Sequence, residues 1–438
     1  MENYFNDLFQ QLTTHLTGEE ILTANLSGEQ SDFIRLNHNQ IRQAGHVKQH
    51  VLSISLIEGQ KQSHASCDLQ GHLEQDLQQL KALLNTLREQ RAFLPEDPYL
   101  YIATDIHNTH DVSEHAIPDS HQAIEQITSA GQGLDLVGIW SSGEIYSGFA
   151  NSLGQTNWHS TNNFNFDWSI YHAQDKAVKC GYAGFEWQAD TLTQKMASAQ
   201  NALTIMSKPA KTIQPGQYRA YLTPTALQDI LDMMAWGGYG LKSHRTATTP
   251  LLMMVKDNYP LHPSVTITEN NAQGLGPLFT HAGFIKPPQV TFIDGGSYQD
   301  CLVSSRSAKE YEQPVNTDTE HPHSLHMQAG TLAQADILAE LDTGIYINNL
   351  WYCNFSDRNH CRITGMTRFA CFWVENGKIQ APLNVMRFDD SIYHLLGDNL
   401  LGLTQDREFI FDPSSYDQRS TTSYLLPGAL IDNFCFTL

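Results

Sequence analysis

A chain of 438 residues, 41% hydrophobic and 17% charged, has the composition of a globular protein long enough for two domains. No run of about 18 apolar residues is present to cross a membrane. The net charge of -21, from 47 acidic against 26 basic residues, repels phosphate backbones and weighs against direct nucleic-acid contact. The N-terminal stretch lacks the basic start and long apolar core of a secretory signal, and the seven cysteines form no C-x-x-C pair. Reduced thiols and a cytoplasmic location are therefore expected.

In chain order, residues 3–16 carry an amphipathic helical pattern. Residues 50–57 alternate, with Leu52, Ile54 and Leu56 on one face and Ser53 and Ser55 on the other, as a half-buried strand does. Leu77, Leu80, Leu83, Leu84 and Leu87 space a second helix over 73–91. A polar loop follows, with His107, His110, His115 and His121 between Asp105 and Gln122; their irregular spacing fits a surface loop better than a ligand set. From Leu136 the chain reads as antiparallel hairpin strands, with Trp158 as core and His159 at the surface.

A helix over 191–206 ends at a polar stretch, 207–218, with two prolines and no apolar period. That places a domain boundary: residues 1–212 form an N-terminal α+β domain, and 213–438 a β-rich C-terminal α+β domain. Beyond it, strands are expected over 265–268, 289–294, 344–351 and 367–375. The last would put Phe369, Cys371 and Trp373 on one buried face, before a closing region with more loops. The class is α+β, two domains with mainly antiparallel sheets.

One helix carries the chemical question. In TPTALQDILDMMAWGGYG, residues 223–240, Thr223 can cap, Pro224 suits the first turn, and Leu227, Ile230, Leu231 and Met234 repeat at helical spacing. Gly237 and Gly238 end it. Gln228, Asp229 and Asp232 form a polar face expected to meet solvent. A zinc site of the helical type needs two histidines about one turn apart and a glutamate, and this helix has no histidine. Elsewhere, His321, His323 and His326 cluster in HPHSLH, where Pro322 argues for a solvated loop. Cys353, His360 and Cys361 lack a fourth ligand. GLGP at 274–277 reads as a turn, and no G-x-S-x-G, P-loop or G-x-G-x-x-G is present.

Three longer stretches are informative together: SDFIRLNHNQIRQAGHV (31–47), LVGIWSSGEIYSGFANSLGQTNWHSTNNFNFDWSIYH (136–172) and TGMTRFACFWVENGKIQAPL (364–383). They resemble the TldD/PmbA family, also called putative modulators of DNA gyrase, over nearly the whole chain. The resemblance implies a two-domain chain that pairs with a second, related chain around an enclosed cavity. Its catalytic TldD-type members are similar to zinc peptidases, with H-E-x-x-x-H on a helix and a cysteine near the C-terminus. Aligned from Pro224, that motif falls on Asp232, Met233 and Gly237; methionine cannot act as a base and glycine has no ligand atom. Residues 412–423 contain no cysteine, and Cys435 lies beyond them.

The resemblance therefore points to the TldE/PmbA-like branch, with no catalytic residue, metal or cofactor of its own. The implied partner is a TldD-type chain or a second copy, and the implied ligand is unfolded peptide. Within TGMTR, Arg368 facing a cavity would hold a peptide carboxylate or carbonyl beside Thr367, while the bland alternative is a turn leading into a buried strand. Two other readings stay open: a self-sufficient metal-dependent hydrolase using one of the histidine clusters, and a regulatory binding protein without an enzyme partner.

Overall fold

The computed structural model describes residues 1–172 and 176–437. The chain begins with α1 (Glu2–Thr13), then a hairpin array of β1 (Ile21–Asn37), β2 (Gln40–Glu58) and β3 (Lys61–Asp68), and α2 (Leu73–Phe93). It continues through β4 (Thr109–Ser113), α3 (Ser120–Ala130), β5 (Asp135–Asn151), β6 (Thr156–Tyr171), β7 (Ala177–Gly184) and α4 (Ala189–Met206). These strands form one 7-stranded sheet in the order β3-β2-β1-β5-β6-β4, with β7 pairing the far half of β6.

Strand alternation sorts the two faces of this sheet. Leu22, Ala24, Leu26, Tyr146 and Ala150 pack under α1 and α2, while Ile34, Leu36, Leu136 and Trp140 pack under α3 and α4. The opposite face carries polar positions such as Ser31, Asn163 and Asn165, and these meet the rest of the chain.

The second unit starts with β8 (Gly216–Leu222), followed by α5 (Pro224–Ala235), α6 (Leu241–Arg245), α7 (Leu252–Asp257), β9 (Ile267–Glu269), β10 (Val290–Asp294) and β11 (Ser297–Tyr298). Next come α8 (Ser305–Tyr311), β12 (Ser324–Met327), α9 (Ile337–Leu341), β13 (Gly344–Ile347), β14 (Asn349–Asp357), β15 (Arg362–Arg368) and β16 (Phe372–Glu375). The chain closes with β17 (Lys378–Pro382), β18 (Arg387–Ser391), β19 (Leu400–Phe411) and β20 (Ser423–Phe436). They build a 13-stranded sheet centred on β20, which pairs with β8, β12, β18 and β19. Among the described pairs, only β4 with β6, β12 with β20 and β13 with β8 run parallel. The architecture is thus two-domain α+β with mainly antiparallel sheets, as the pattern predicts. Among the described residues no helix is long and apolar enough to cross a membrane.

Several elements differ from the sequence reading. The strand expected over 50–57 is the inner part of the 19-residue β2, whose outer half is exposed and has no apolar rhythm. The loop at 105–122 contains β4 and the start of α3, capped by Asp119. The strand expected over 344–351 is two strands, because β13 follows β8 whereas β14 turns away to β15. The strand expected over 367–375 breaks at Phe369, whose φ of 58° reverses the chain, so Phe369, Cys371 and Trp373 share no single face. The closing region is mostly strand. Pro427 hides β20 from a pattern search, but a register shift between Leu403 and Arg407 of β19 accommodates it.

Residues 207–215 carry one isolated bridge, Lys211 with Leu383. Gly216 to Tyr218, the end of the polar stretch, already belong to β8 inside the larger sheet. A clip joins the two units elsewhere. From the β19–β20 connection, Gln418 accepts from Ser27 Oγ at 2.9 Å, and the Asp417 carbonyl accepts from Gln49 at 2.6 Å. Arg419, 5% exposed, donates to Ser31 Oγ at 3.3 Å, the Gly143 carbonyl at 3.3 Å and the Asn163 carbonyl at 3.2 Å. Ser31, Gly143 and Asn163 stand side by side across β1, β5 and β6, so the guanidinium spans three strands.

Candidate functional site

Helix α5 forms as its sequence dictates. The Thr223 hydroxyl accepts from the Ala226 amide at 3.2 Å and Pro224 occupies the first turn. Leu227, Ile230, Leu231 and Met234 are fully buried in the main C-terminal core. Gly237, with φ of 76°, turns the chain out of the helix. A side chain at Gly238 would place Cβ 1.9 Å from the Met234 carbonyl, so only glycine closes this turn.

The polar face of α5 is not solvated, contrary to expectation. Asp229 and Asp232 are half-buried, because β14 and β20 arrive over them from much later in the chain. Asp229 accepts the Leu350 amide at 3.0 Å. Burial pushes its carboxyl up to about 7, against that hydrogen bond and with a contribution from Asp232. Burial likewise raises Asp232 to about 6, opposed by hydrogen bonds from Tyr424 and Gln228.

Asp229 lines a cavity of about 420 Å³ between β6 and β7 on one side and α5, β14, β15 and β19 on the other. A second of about 560 Å³ adjoins it and shares Lys179, Cys180 and Glu408. Lys179 pairs with Asp167 at 2.9 Å and Lys195 pairs with Glu408. Burial pushes the Cys180 thiol up to about 12, so it is no nucleophile at neutral pH. Arg368 lines the cavity with its guanidinium 4.6 Å from the Trp351 ring centre and 5.0 Å from that of Phe369.

Of the two residues singled out in TGMTR, Arg368 reaches this cavity and Thr367 does not. Thr367 is 2% exposed, and its hydroxyl accepts the Met386 amide at 2.9 Å, which fixes β15 from behind. The strand alternation that buries Thr367 is what delivers Arg368 to the opposite side.

Asp232, Met233 and Gly237 do not converge. Met233 is packed in the core at 6% exposure, and Gly237 lies past the helix end. Among the described residues no group of three or more His, Cys, Asp or Glu side chains is placed to hold a metal ion. The histidines at 107–121 are dispersed: His110 meets Glu2, His115 packs at a tilt against Phe185, and His121 faces Glu125. His326 is not in a solvated loop but 3% exposed in β12, beside Phe409. His159 is buried, not at the surface, held by Asp111 at 2.9 Å and the Leu275 carbonyl at 3.1 Å. Cys361 is buried while His360 is exposed and paired with Asp357 at 2.7 Å. Asp229, Lys179 and Glu408 escaped the sequence reading as cavity residues. The one available signal was the i, i+3 spacing of Asp229 and Asp232 on an otherwise apolar helix.

No curated protein matches this sequence. Solved structures share the fold end to end. TldE from Thermococcus kodakarensis has a TM-score of 0.77 at 13% identity, covering 99% of this chain and 100% of that one. A putative modulator of DNA gyrase from Bacteroides thetaiotaomicron gives 0.75 at 14% identity, covering 99% and 98%. A putative modulator of a DNA gyrase from Thermotoga maritima gives 0.73 at 13% identity, covering both chains in full. The family model of the PmbA/TldA metallopeptidase C-terminal domain matches residues 215–437, from the first residues before β8 to the end of β20. The chain belongs to the TldD/PmbA family.

Proposed function

We propose that this chain is a non-catalytic, TldE-like subunit that completes a TldD-type zinc metallopeptidase acting on unfolded peptides in the cytoplasm. The observation that carries this reading is the state of α5. Where the peptidase motif needs a base and two ligands, it has a half-buried Asp232, a core-packed Met233 and a turn glycine, Gly237. Met233 has no basic atom and Gly237 no ligand atom, so a metal-activated water cannot be generated here. What remains useful is the cavity beneath α5, where Arg368 offers a charged fork to a peptide's main chain or terminus. The partner in this reading is a TldD-type chain, or a second copy of this one. The domain boundary is proposed at 212–213, in the mostly exposed stretch before β8, where Ile213 is buried in the C-terminal core.

Metal content tests the reading. The purified chain is expected to hold no stoichiometric zinc after brief chelation, by elemental analysis. About one tightly held metal per chain would contradict it, because a structural or catalytic site binds strongly enough to survive such treatment.

A further inference from the structure

We infer that the cavity takes the free α-carboxylate of a peptide's C-terminal residue on Arg368, with that residue's apolar side chain against Trp351 and Phe369, an inference that rests on the peptide-binding role proposed above.

The charge pattern selects the ligand. Among the described residues Arg368 forms no ion pair, whereas Lys179, the other cation lining this cavity, is matched by Asp167, and Glu408 in its wall is matched by Lys195. The cavity thus offers one unmatched guanidinium within walls that also carry Asp167, Asp229 and Glu408. A single negative charge fits this field. A phosphate with two would meet repulsion from the same carboxylates.

The guanidinium is also held ready. Rings on Trp351 and Phe369 flank it, and Phe369 reaches its place only by adopting φ of 58°, a conformation rarely taken by a bulky residue. A planar fork flanked in this way loses little freedom when it grips both oxygens of a carboxylate.

Size and lining set the rest. About 420 Å³ is a small-ligand volume, suited to the last one or two residues of a chain. Phe409 and Phe411 add apolar wall, and Asn349 and Gln228 add neutral polar groups for the terminal peptide unit. An internal Asp or Glu would have to bring chain on both sides into the same space, which the terminal carboxylate does not.

The test uses the full chain and fluorescence anisotropy with labelled short unstructured peptides ending in phenylalanine. One has a free C-terminal carboxylate, a second a C-terminal amide, and a third an amide with an internal glutamate. The free acid is expected to bind at least about 10-fold more tightly than either amide, the size of one charge-assisted bidentate contact. Arg368→Met should erase that difference and Arg368→Lys restore part of it, with thermal midpoints unchanged because the side chain is partly exposed. Equal binding of all three peptides, or discrimination that survives Arg368→Met, would overturn the carboxylate inference and leave the peptide-binding role standing. Failure of every peptide to bind would overturn both.

Discussion

Replacing Arg419 with alanine is expected to lower the unfolding free energy by about 3 kcal/mol, a large loss for one side chain in a protein of ordinary stability. Arg419 is almost fully buried, and its three strand partners, Ser31, Gly143 and Asn163, would be left without their donor. Glu29, also buried, would lose the charge attraction of Arg419. The effect should fall on the join between domains. Trypsin is therefore expected to cut residues 207–215 at Lys211, since Pro209 blocks cleavage after Lys208, and to do so sooner in the variant than in the parent. Denaturant titration checks the energy, and a timed digest checks the location. A variant with an unchanged midpoint and digest would show that the clip does not couple the two units, and first cuts elsewhere would move the proposed boundary.

Changing Asp229 to asparagine should stabilise the chain at about pH 8 by roughly 2 kcal/mol, after allowing for partial exposure, and do little at about pH 4. The sign follows from linkage. The native carboxyl is raised from 3.8 to about 7, chiefly by burial. Between those values the native chain keeps a proton that the unfolded chain has released, so stability falls as pH rises through that window. Asparagine removes the titration yet retains a carbonyl to accept the Leu350 amide. Parallel denaturation curves of parent and variant across that range would refute the burial of this carboxyl.

How much of this could be read from the sequence depended on whether the cause was local. Helix α5, its Thr223 cap and its glycine exit were legible because period, cap and turn lie within a dozen or so residues. The long hairpin of β5 and β6 was legible because alternation and turn residues are local too. The burial of Asp229 and Asp232 was not, since the strands that cover them come from beyond residue 349. Phe369 broke a strand through a left-handed conformation that nothing in a phenylalanine announces. His159 reads as a surface residue because a polar face normally meets water; here that face meets another domain. For the same reason Arg419, in a polar loop, gave no sign of its three-strand contact. The cavity itself is built from both units, and no single segment contains its pattern.

The proposed division of labour is tested most directly by peptide cleavage with the chain alone, a TldD-type partner alone, and the two mixed, all supplied with zinc. The chain alone should cleave nothing, and the mixture should cleave unstructured peptides faster than the partner does. Loss of the partner's metal-site glutamate should abolish that activity, while Asp232→Ala in this chain should leave most of it. Chelator-sensitive cleavage by this chain by itself, or loss of all activity on Asp232→Ala in a mixture that still assembles, would contradict the assignment of a non-catalytic subunit.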